Sequence, residues 1–294
     1  MRKSFWAFAV LTLHLCACAQ TSKKIYATGE VDISTLRASL KIPIRIEKET
    51  IIFDTRSNFD FALSHLPQAV NLQWSEFADL KGAYPSHVKK NLDAEVRRLA
   101  LLGITPNTPI VVVGRGLEGG GEEGRLAWTL LYLGFKDVQT AHMDRLGLHY
   151  SNVEVTARKN APSWAPVLRP SLVASREEVI RVATGKFDEH IHIIDVRSRD
   201  EYFSKNEYLQ YAVPDLRAIH IEWKNFFNEQ GRPNLEILDQ LKSVNIQPED
   251  RILVISNNGV RSAAVTYALL SLGYEKAANV AGGYRELTSY NRRR

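Results

Sequence analysis

The chain has 294 residues, of which 45% are hydrophobic, and its formal net charge is +5 at pH 7. A chain of this length has room for about two domains of ordinary size. Its two cysteines, Cys16 and Cys18, both lie near the N-terminus, so the rest of the chain has no thiol for a disulfide, a thiolate metal site or a cysteine nucleophile. The only basic run is at residues 292–294, which gives nucleic-acid binding little support.

The N-terminal segment has the features of a processing signal. It begins with the positively charged Arg2 and Lys3, and the apolar stretch at residues 5–15 is too short for a relaxed membrane span. With Ala17 directly before Cys18, the segment resembles a bacterial lipoprotein signal. The resemblance implies a signal peptide at residues 1–17, a lipidated Cys18, export to the periplasm and, since Ala19 follows, anchoring to the outer membrane. An ordinary cleaved signal peptide is the alternative.

An internal repeat organises the rest of the chain. A strand-like block that ends in Asp54 recurs with Asp195, and the apolar run at residues 110–113 recurs at residues 252–255. Corresponding blocks keep one order and lie about 140 residues apart, which is the size of a domain rather than of a solenoid repeat. In each copy, short apolar runs alternate with helical patterns. This alternation predicts an α/β fold in which a parallel sheet is covered by helices.

The repeat also sets the predicted domain boundaries. Domain 1 is predicted at residues 31–150 and domain 2 at residues 171–294, and each is long enough for a core of its own. A proline-containing stretch between them breaks both periodicities, so a linker is predicted at residues 151–170. Ser175, with Glu178 three residues later, predicts the capped start of the first helix of domain 2.

Several motifs within these blocks resemble those of the tandem rhodaneses, the two-domain thiosulfate or mercaptopyruvate sulfurtransferases. The matching motifs are Asp54-x-Arg56-Ser57, Asp195-x-Arg197-Ser198, Gly259-x-Arg261-Ser262 and Gly282-Gly283-Tyr284. The second copy departs from the family where it reads Pro214-Asp215-Leu216-Arg217-Ala218 in place of a His-Ile-Pro-Gly-Ala block. The resemblance implies two tandem rhodanese-like domains, each a mostly parallel sheet flanked by helices.

The resemblance also implies which residue should carry the chemistry. In an active member, the loop of the second domain opens with a cysteine that holds sulfane sulfur as a persulfide. In this chain that position is Ser256, whose hydroxyl is far more basic than a thiol and forms no stable persulfide analogue. We therefore expect no catalytic residue, with Ser256 as the degenerate position. An esterase-like role for Ser256 is disfavoured, because no Gly-x-Ser-x-Gly motif surrounds it.

The loop that opens with Ser256 still has the features of an anion-binding turn. It follows an apolar strand and precedes a helix, so its backbone amides should converge at the helix N-terminus. The candidate anion-binding residues are Ser256, Asn257, Asn258, Gly259, Val260, Arg261 and Ser262. The alternative is that Arg261 pairs with a local carboxylate and that the loop is only a tight turn.

The corresponding loop of domain 1, at residues 114–124, has neither a thiol nor a hydroxyl. Its first six residues read Gly-x-Gly-x-x-Gly, which in isolation suggests dinucleotide binding. Glu118, Glu122 and Glu123 crowd the place of a pyrophosphate and would repel it, so no cofactor is expected.

One pair of histidines could bind a metal. His190 and His192 could lie on the same side of a strand, but no third ligand is evident. A solvated strand start is therefore predicted there, and no metal is expected.

These observations predict a catalytically silent, rhodanese-like lipoprotein of the bacterial envelope. It would act as an anion- or protein-binding module, with a small anion or an envelope protein as its partner, and would reach the membrane through a lipidated Cys18. The first alternative is a sulfurtransferase-related enzyme of sulfur metabolism that works by a non-standard route, for example with an external thiol carrier. The second is a purely structural envelope lipoprotein.

Overall fold

The computed structural model describes residues 25–81, 86–151, 159–204 and 213–289. The predicted signal peptide, the predicted lipidation site Cys18 and the basic run at residues 292–294 lie outside these ranges. The strands are β1 (Ala27–Thr28), β2 (Ile51–Asp54), β3 (Val70–Asn71), β4 (Ile110–Gly114), β5 (Val138–His142), β6 (Val167–Leu168), β7 (Ile191–Asp195), β8 (Ile219–His220), β9 (Arg251–Ile255) and β10 (Ala277–Asn279). The α-helices are α1 (Ser34–Ser39), α2 (Asn58–Leu63), α3 (Asp93–Leu101), α4 (Glu122–Tyr132), α5 (Arg176–Thr184), α6 (Arg199–Phe203), α7 (Ile237–Ser243), α8 (Val260–Leu272) and α9 (Gly283–Ser289).

The two halves of the chain form sheets of the same topology. The strand order is β3-β2-β4-β5 in domain 1 and β8-β7-β9-β10 in domain 2, and every pairing is parallel. The central strands β2 and β4 are buried along their whole length, which explains their continuous apolar runs. Helices flank both sheets, so the predicted α/β class is confirmed.

The two domains share one large apolar cluster, and each domain also has a smaller cluster of its own. Alternate residues of β4 and β9, among them Val112 and Val254, belong to one cluster that includes most of the apolar side chains of α4 and α8. These two helices pack closely because Gly124 of α4 faces Ala264 of α8. A Cβ atom on Gly124 would lie only 2.6 Å from the Cβ of Ala264. The small residues at this crossing bring the two helices together and join the halves.

Part of the predicted linker packs on domain 1. Strand β6 lies in it and pairs in parallel with β1, with Ala27 opposite Val167. Before β6, the Nε1 atom of Trp164 donates a hydrogen bond of 2.9 Å to the carbonyl of Ile104. The described part of the linker therefore runs along the first domain.

The start of domain 2 follows the predicted capping pattern. Ser175 precedes α5, and its side-chain oxygen accepts a hydrogen bond of 3.1 Å from the backbone N–H of Glu178. Within the described ranges, no helix is both long and apolar enough to cross a membrane.

Candidate functional site

The loop between β9 and α8 is fixed by the backbone of its neighbours. Ser256 follows the last residue of β9, and Gly259 forms the N-cap of α8 with a φ of +77°. A Cβ atom at Gly259 would lie 1.7 Å from the carbonyl oxygen of Ala281, so the turn has room only for glycine. The loop therefore has the strand-turn-helix geometry that its sequence predicts.

The side chain of Ser256 is fully buried, with 0% exposure, and its hydroxyl is already hydrogen-bonded. Its Oγ atom lies 3.0 Å from Oγ of Ser262, which itself donates a hydrogen bond of 2.7 Å to Oδ1 of Asn279. Since Ser262 gives its proton to Asn279, the hydroxyl of Ser256 donates to Ser262. No histidine is hydrogen-bonded to Ser256 among the described residues, so the hydroxyl has no base to activate it.

Helix α9 covers the same loop. The backbone N–H groups of Tyr284 and Arg285 donate to the carbonyls of Ser256 and Asn257, each over 3.0 Å. Gly283, with a φ of +55°, approaches so closely that a Cβ atom there would lie 2.1 Å from the carbonyl oxygen of Ser256. The turn before α9 therefore closes the site from one side.

Arg261 is paired with a carboxylate of its own domain. Its Nη1 and Nη2 atoms lie 2.6 and 2.8 Å from the two oxygens of Glu201, and Asn257 donates to the same carboxylate over 2.5 Å. The backbone and side chain of Ser198 add two more hydrogen bonds, of 2.9 and 2.8 Å. The hydrogen bond from Arg261, helped by those from Ser198, lowers the pKa of Glu201 to about 2. The charge of Arg261 is thus largely compensated, as in the alternative in which it pairs locally.

The structure brings all seven predicted anion-binding residues into this one loop, but few of their side chains face solvent. Asn258 is exposed, Asn257 and Arg261 are half-buried, and the other side chains are buried. The loop's capacity to bind an anion stays a prediction.

A buried ion pair contacts Tyr284, whose backbone N–H donates to the loop. Nη2 of Arg197 lies 2.7 Å from Oδ2 of Asp195, which also accepts a hydrogen bond of 3.0 Å from the hydroxyl of Tyr284. The guanidinium lies 4.0 Å from the centre of the Tyr284 ring. Burial, followed by the charge of Asp195, raises the pKa of Tyr284 above its ordinary value. Asp195 therefore has a structural partner, as does Asp54 in domain 1, where Nη2 of Arg56 lies 2.7 Å away.

An aromatic cluster beside the loop was not predicted from the sequence. It consists of Tyr202, Phe203 and His220. The rings of Tyr202 and His220 stack with their centres 4.4 Å apart, and Phe203 meets Tyr202 edge-on at 4.9 Å. Phe203 is 61% exposed and stands two residues after Glu201, the partner of Arg261. The cluster depends on the contact between α6 and β8, which no local pattern in the sequence reveals.

In the loop of domain 1, backbone N–H groups donate to carboxylates of the same loop. Oε1 of Glu123 accepts a hydrogen bond of 2.7 Å from the N–H of Gly116, and Oε2 of Glu122 accepts one of 2.7 Å from the N–H of Gly120. A Cβ atom on Gly114, the residue that corresponds to Ser256, would lie 2.9 Å from Oε2 of Glu123. Burial raises the pKa of Glu123 to about 7. These amides, which a nucleotide phosphate would need, already have partners.

Arg125 links domain 1 to the loop of domain 2, a role that no pattern in the sequence indicates. Its side chain is fully buried, with Nη1 donating over 3.0 Å to the carbonyl of Gly259 and Nη2 donating over 2.6 Å to the carbonyl of Ser86. The guanidinium lies 5.1 and 4.7 Å from the ring centres of Trp74 and Trp128. Burial lowers its pKa to about 9.

The two histidines considered as metal ligands contact a carboxylate instead. Nδ1 of His190 and Nε2 of His192 lie 3.0 and 3.1 Å from the two oxygens of Asp250. The side chain of His192 is only 9% exposed, so the predicted solvated strand start is wrong for this residue. In the part of the chain that the structure describes, no group of three or more His, Cys, Asp and Glu side chains is placed to hold a metal ion.

The family model described as "Rhodanese-like domain" matches the chain twice, at residues 40–142 and 181–290. The chain belongs to the rhodanese family. Thiosulfate sulfurtransferase 18 of Arabidopsis thaliana is 36% identical to it over 111 residues, which is 35% of this chain and 81% of that protein.

Solved structures share the tandem fold. A complex of an EanB variant with hercynine aligns with a TM-score of 0.65 at 19% identity and covers 87% of this chain. YnjE aligns at 0.64 and 20% identity over 81% of this chain. A probable thiosulfate sulfurtransferase aligns at 0.58 and 21% identity, covering 84% of this chain and 97% of that one. The chain spans only 66% of EanB and 59% of YnjE. At these identities the likeness shows the fold alone.

Proposed function

We propose that this rhodanese-family protein is catalytically silent and acts as a binding module of the bacterial envelope, with the loop that opens at Ser256 as its recognition site. The envelope location and the anchor at a lipidated Cys18 are part of the proposal and rest on the resemblance of the N-terminus to a lipoprotein signal. The single observation that carries the proposal is that the residue in the place of the catalytic cysteine is Ser256, whose hydroxyl is buried and hydrogen-bonded to Ser262.

A sulfurtransferase of this family needs an accessible thiolate at the start of the loop. Ser256 offers an oxygen that is fully buried and donates its proton to Ser262. The hydroxyl is engaged by Ser262 and its pKa is far above that of a thiol, so the oxygen supplies no nucleophile comparable to a thiolate. The scaffold of the family is therefore present without its nucleophile.

The contacts of the loop favour a protein over a small anion as the partner. A small anion would have to displace the carboxylate of Glu201 from Arg261, which holds it by two short hydrogen bonds. A protein could instead use Asn258 and Phe203, which are both exposed. Exposed aromatic side chains next to polar groups are typical of protein-binding surfaces.

The catalytic part of the proposal is tested with thiosulfate as the sulfur donor. The purified mature protein should give no thiocyanate from cyanide and no covalently added sulfur by mass spectrometry. Ser256→Cys should gain covalent sulfur, whereas Asn258→Cys, an exposed thiol on the same loop, should gain much less, because position 256 is the one to which the backbone N–H of Ser262 donates. Thiocyanate turnover by the unmodified protein that disappears in Ser256→Ala would instead establish the alternative of a sulfurtransferase with a non-standard route.

The partner is tested by photo-crosslinking in cells that produce the full chain. A crosslinker at Asn258 should give one discrete protein adduct, and Phe203→Ser should reduce it, while a crosslinker at Phe187 should not give the same adduct. Thermal unfolding with sulfate, phosphate or thiosulfate should show no stabilisation at millimolar concentrations. A stabilisation that Arg261→Gln removes would replace the protein partner with a small anion.

A further inference from the structure

A recess opens in domain 2 at the end of the sheet opposite to the Ser256 loop. It lies where β7 begins and is closed by the C-terminal turn of α5, the segment before β8 and the turn after α7. Its volume is about 360 Å³, which is within the range of small-molecule sites. Its apolar wall is formed by Val182, Ile191, Ile193, Leu216, Ile219 and Val244.

Arg217 stands in the wall of this recess in an unusual backbone conformation. Its φ is +49°, in the left-handed region that favours glycine. Its Nη2 atom donates to the carbonyls of Val182 and Gly185 over 2.8 and 3.0 Å, which fixes the guanidinium at the end of α5. The corresponding residue of domain 1 is Gln68, which also has a positive φ, of +59°, but lines no comparable recess among those described. Both copies thus keep this backbone conformation, and domain 2 has a charged side chain at a position where domain 1 has an uncharged one.

Within residues 25–81, 86–151, 159–204 and 213–289, the guanidinium of Arg217 has no acidic partner. Among the described residues, no carboxylate lies within ion-pair distance of its guanidinium, and Asp215 accepts only from its backbone N–H, over 2.9 Å. The two carboxylates of the rim face His190 instead. Oδ1 of Asp188 accepts from the N–H of His190 over 2.9 Å, and Oε1 of Glu189 lies 3.9 Å from its Nε2. The mouth of the recess therefore combines an apolar wall with a fixed cation that pairs with no carboxylate of the described residues.

We propose that this recess binds a small organic acid, with its apolar body against Ile193 and Leu216 and its carboxylate on the guanidinium of Arg217. Nη2 of Arg217 is used by backbone carbonyls, whereas Nε and Nη1 have no partner within the described ranges and can donate to the ligand. The cavity is large enough for a single aromatic ring with a short acidic side chain. The Ser256 loop has no part in this site, so the proposal is independent of the role of that loop.

The test compares 3-phenylpropionate with its neutral amide on the full mature chain, with binding followed by NMR chemical shifts and calorimetry. The two probes share an apolar body and differ in charge. Because hydrogen bonds to a charged group contribute more than neutral ones, the carboxylate should bind roughly tenfold more tightly or better. Equal affinities, or no binding of either probe, would overturn the proposal.

Two variants test whether Arg217 is the group that binds the carboxylate of the ligand. Arg217→Gly should fold, since glycine adopts the positive φ without strain, and should bind the carboxylate no more tightly than the amide. Arg217→Asn provides a second variant that tolerates this backbone conformation and lacks the charge. Gln68→Gly is the matched control in domain 1 and should leave the preference for the carboxylate unchanged. Retention of that preference in both Arg217 variants would show that another group holds the acid, and the site as proposed would be wrong.

Discussion

Replacement of the buried Glu123 by glutamine should stabilise the protein at high pH and have no effect at low pH. The side chain of Glu123 is 4% exposed, and burial raises its pKa from 4.5 to about 7. A carboxyl group that holds its proton more tightly in the folded state destabilises that state when it ionises. Glu123 therefore lowers the free energy of unfolding above pH 4.5. This loss grows as the pH rises towards the folded-state pKa and is constant well above pH 7.

The magnitude follows from the two pKa values. At about 1.4 kcal/mol for each pH unit between them, ionisation costs the folded state about 3 kcal/mol. Glutamine never ionises, and its amide oxygen can still accept the hydrogen bond that Gly116 donates to Oε1 of Glu123. We therefore expect Glu123→Gln to equal the unmodified protein at pH 4.5 and to exceed its free energy of unfolding by about 3 kcal/mol at pH 8.

Urea unfolding followed by tryptophan fluorescence at several pH values between 4.5 and 8 measures this difference. The shared core favours a single transition for both domains. Glu118→Gln is the matched control, because Glu118 is an exposed carboxylate in the same loop and its replacement should change the free energy of unfolding only slightly. A difference between Glu123→Gln and the unmodified protein that stays constant across this pH range would refute the reasoning, since it would show that Glu123 does not titrate there.

Two further predictions concern glycines. Gly124→Ala should lower the free energy of unfolding by about 1–2 kcal/mol, because crowding against Ala264 outweighs the better helix propensity of alanine. Adding Ala264→Gly should recover most of this loss in thermal unfolding, and no recovery would contradict the assigned contact. Gly147→Ala and Gly259→Ala both place alanine at a positive φ, but only the latter meets a neighbour, the carbonyl of Ala281. The first should cost about 1 kcal/mol and the second more than 3 kcal/mol, and equal losses in urea unfolding would argue against the steric account.

The part of the fold that local patterns specify could be predicted from the sequence. The repeated blocks around Asp54 and Asp195 predicted two equivalent parallel sheets, since strands buried on both faces read as continuous apolar runs. The pairing of β1 with β6 could not be predicted, because two-residue strands have no recognisable pattern. The shared core was also missed. Its signal was present in α8, which is buried on nearly all sides, as expected for a helix that packs against two layers.

The chemistry of the candidate site depends on contacts between distant parts of the chain. The position of Ser256 after a strand and before a helix was visible in the sequence, but its hydrogen bond to Ser262 was not. The carboxylate that pairs with Arg261 comes from Glu201, in another helix, and only the folded chain brings the two together. Arg125 was missed for a related reason, since a charged residue within a helix is normally expected on the solvent-exposed face.

The contact between Arg125 and the carbonyl of Gly259 makes the two copies of the repeat obligate neighbours. Exchange of the first copy for another rhodanese domain would remove the shortest hydrogen bond to that carbonyl, which also accepts from Ala263 and Asn279. It would also remove the glycine that accommodates Ala264. Sequence drift in the first half can therefore alter the second loop without changing any residue of it. The domain whose own loop is filled by glutamates thus helps to set the shape of the loop in the other domain.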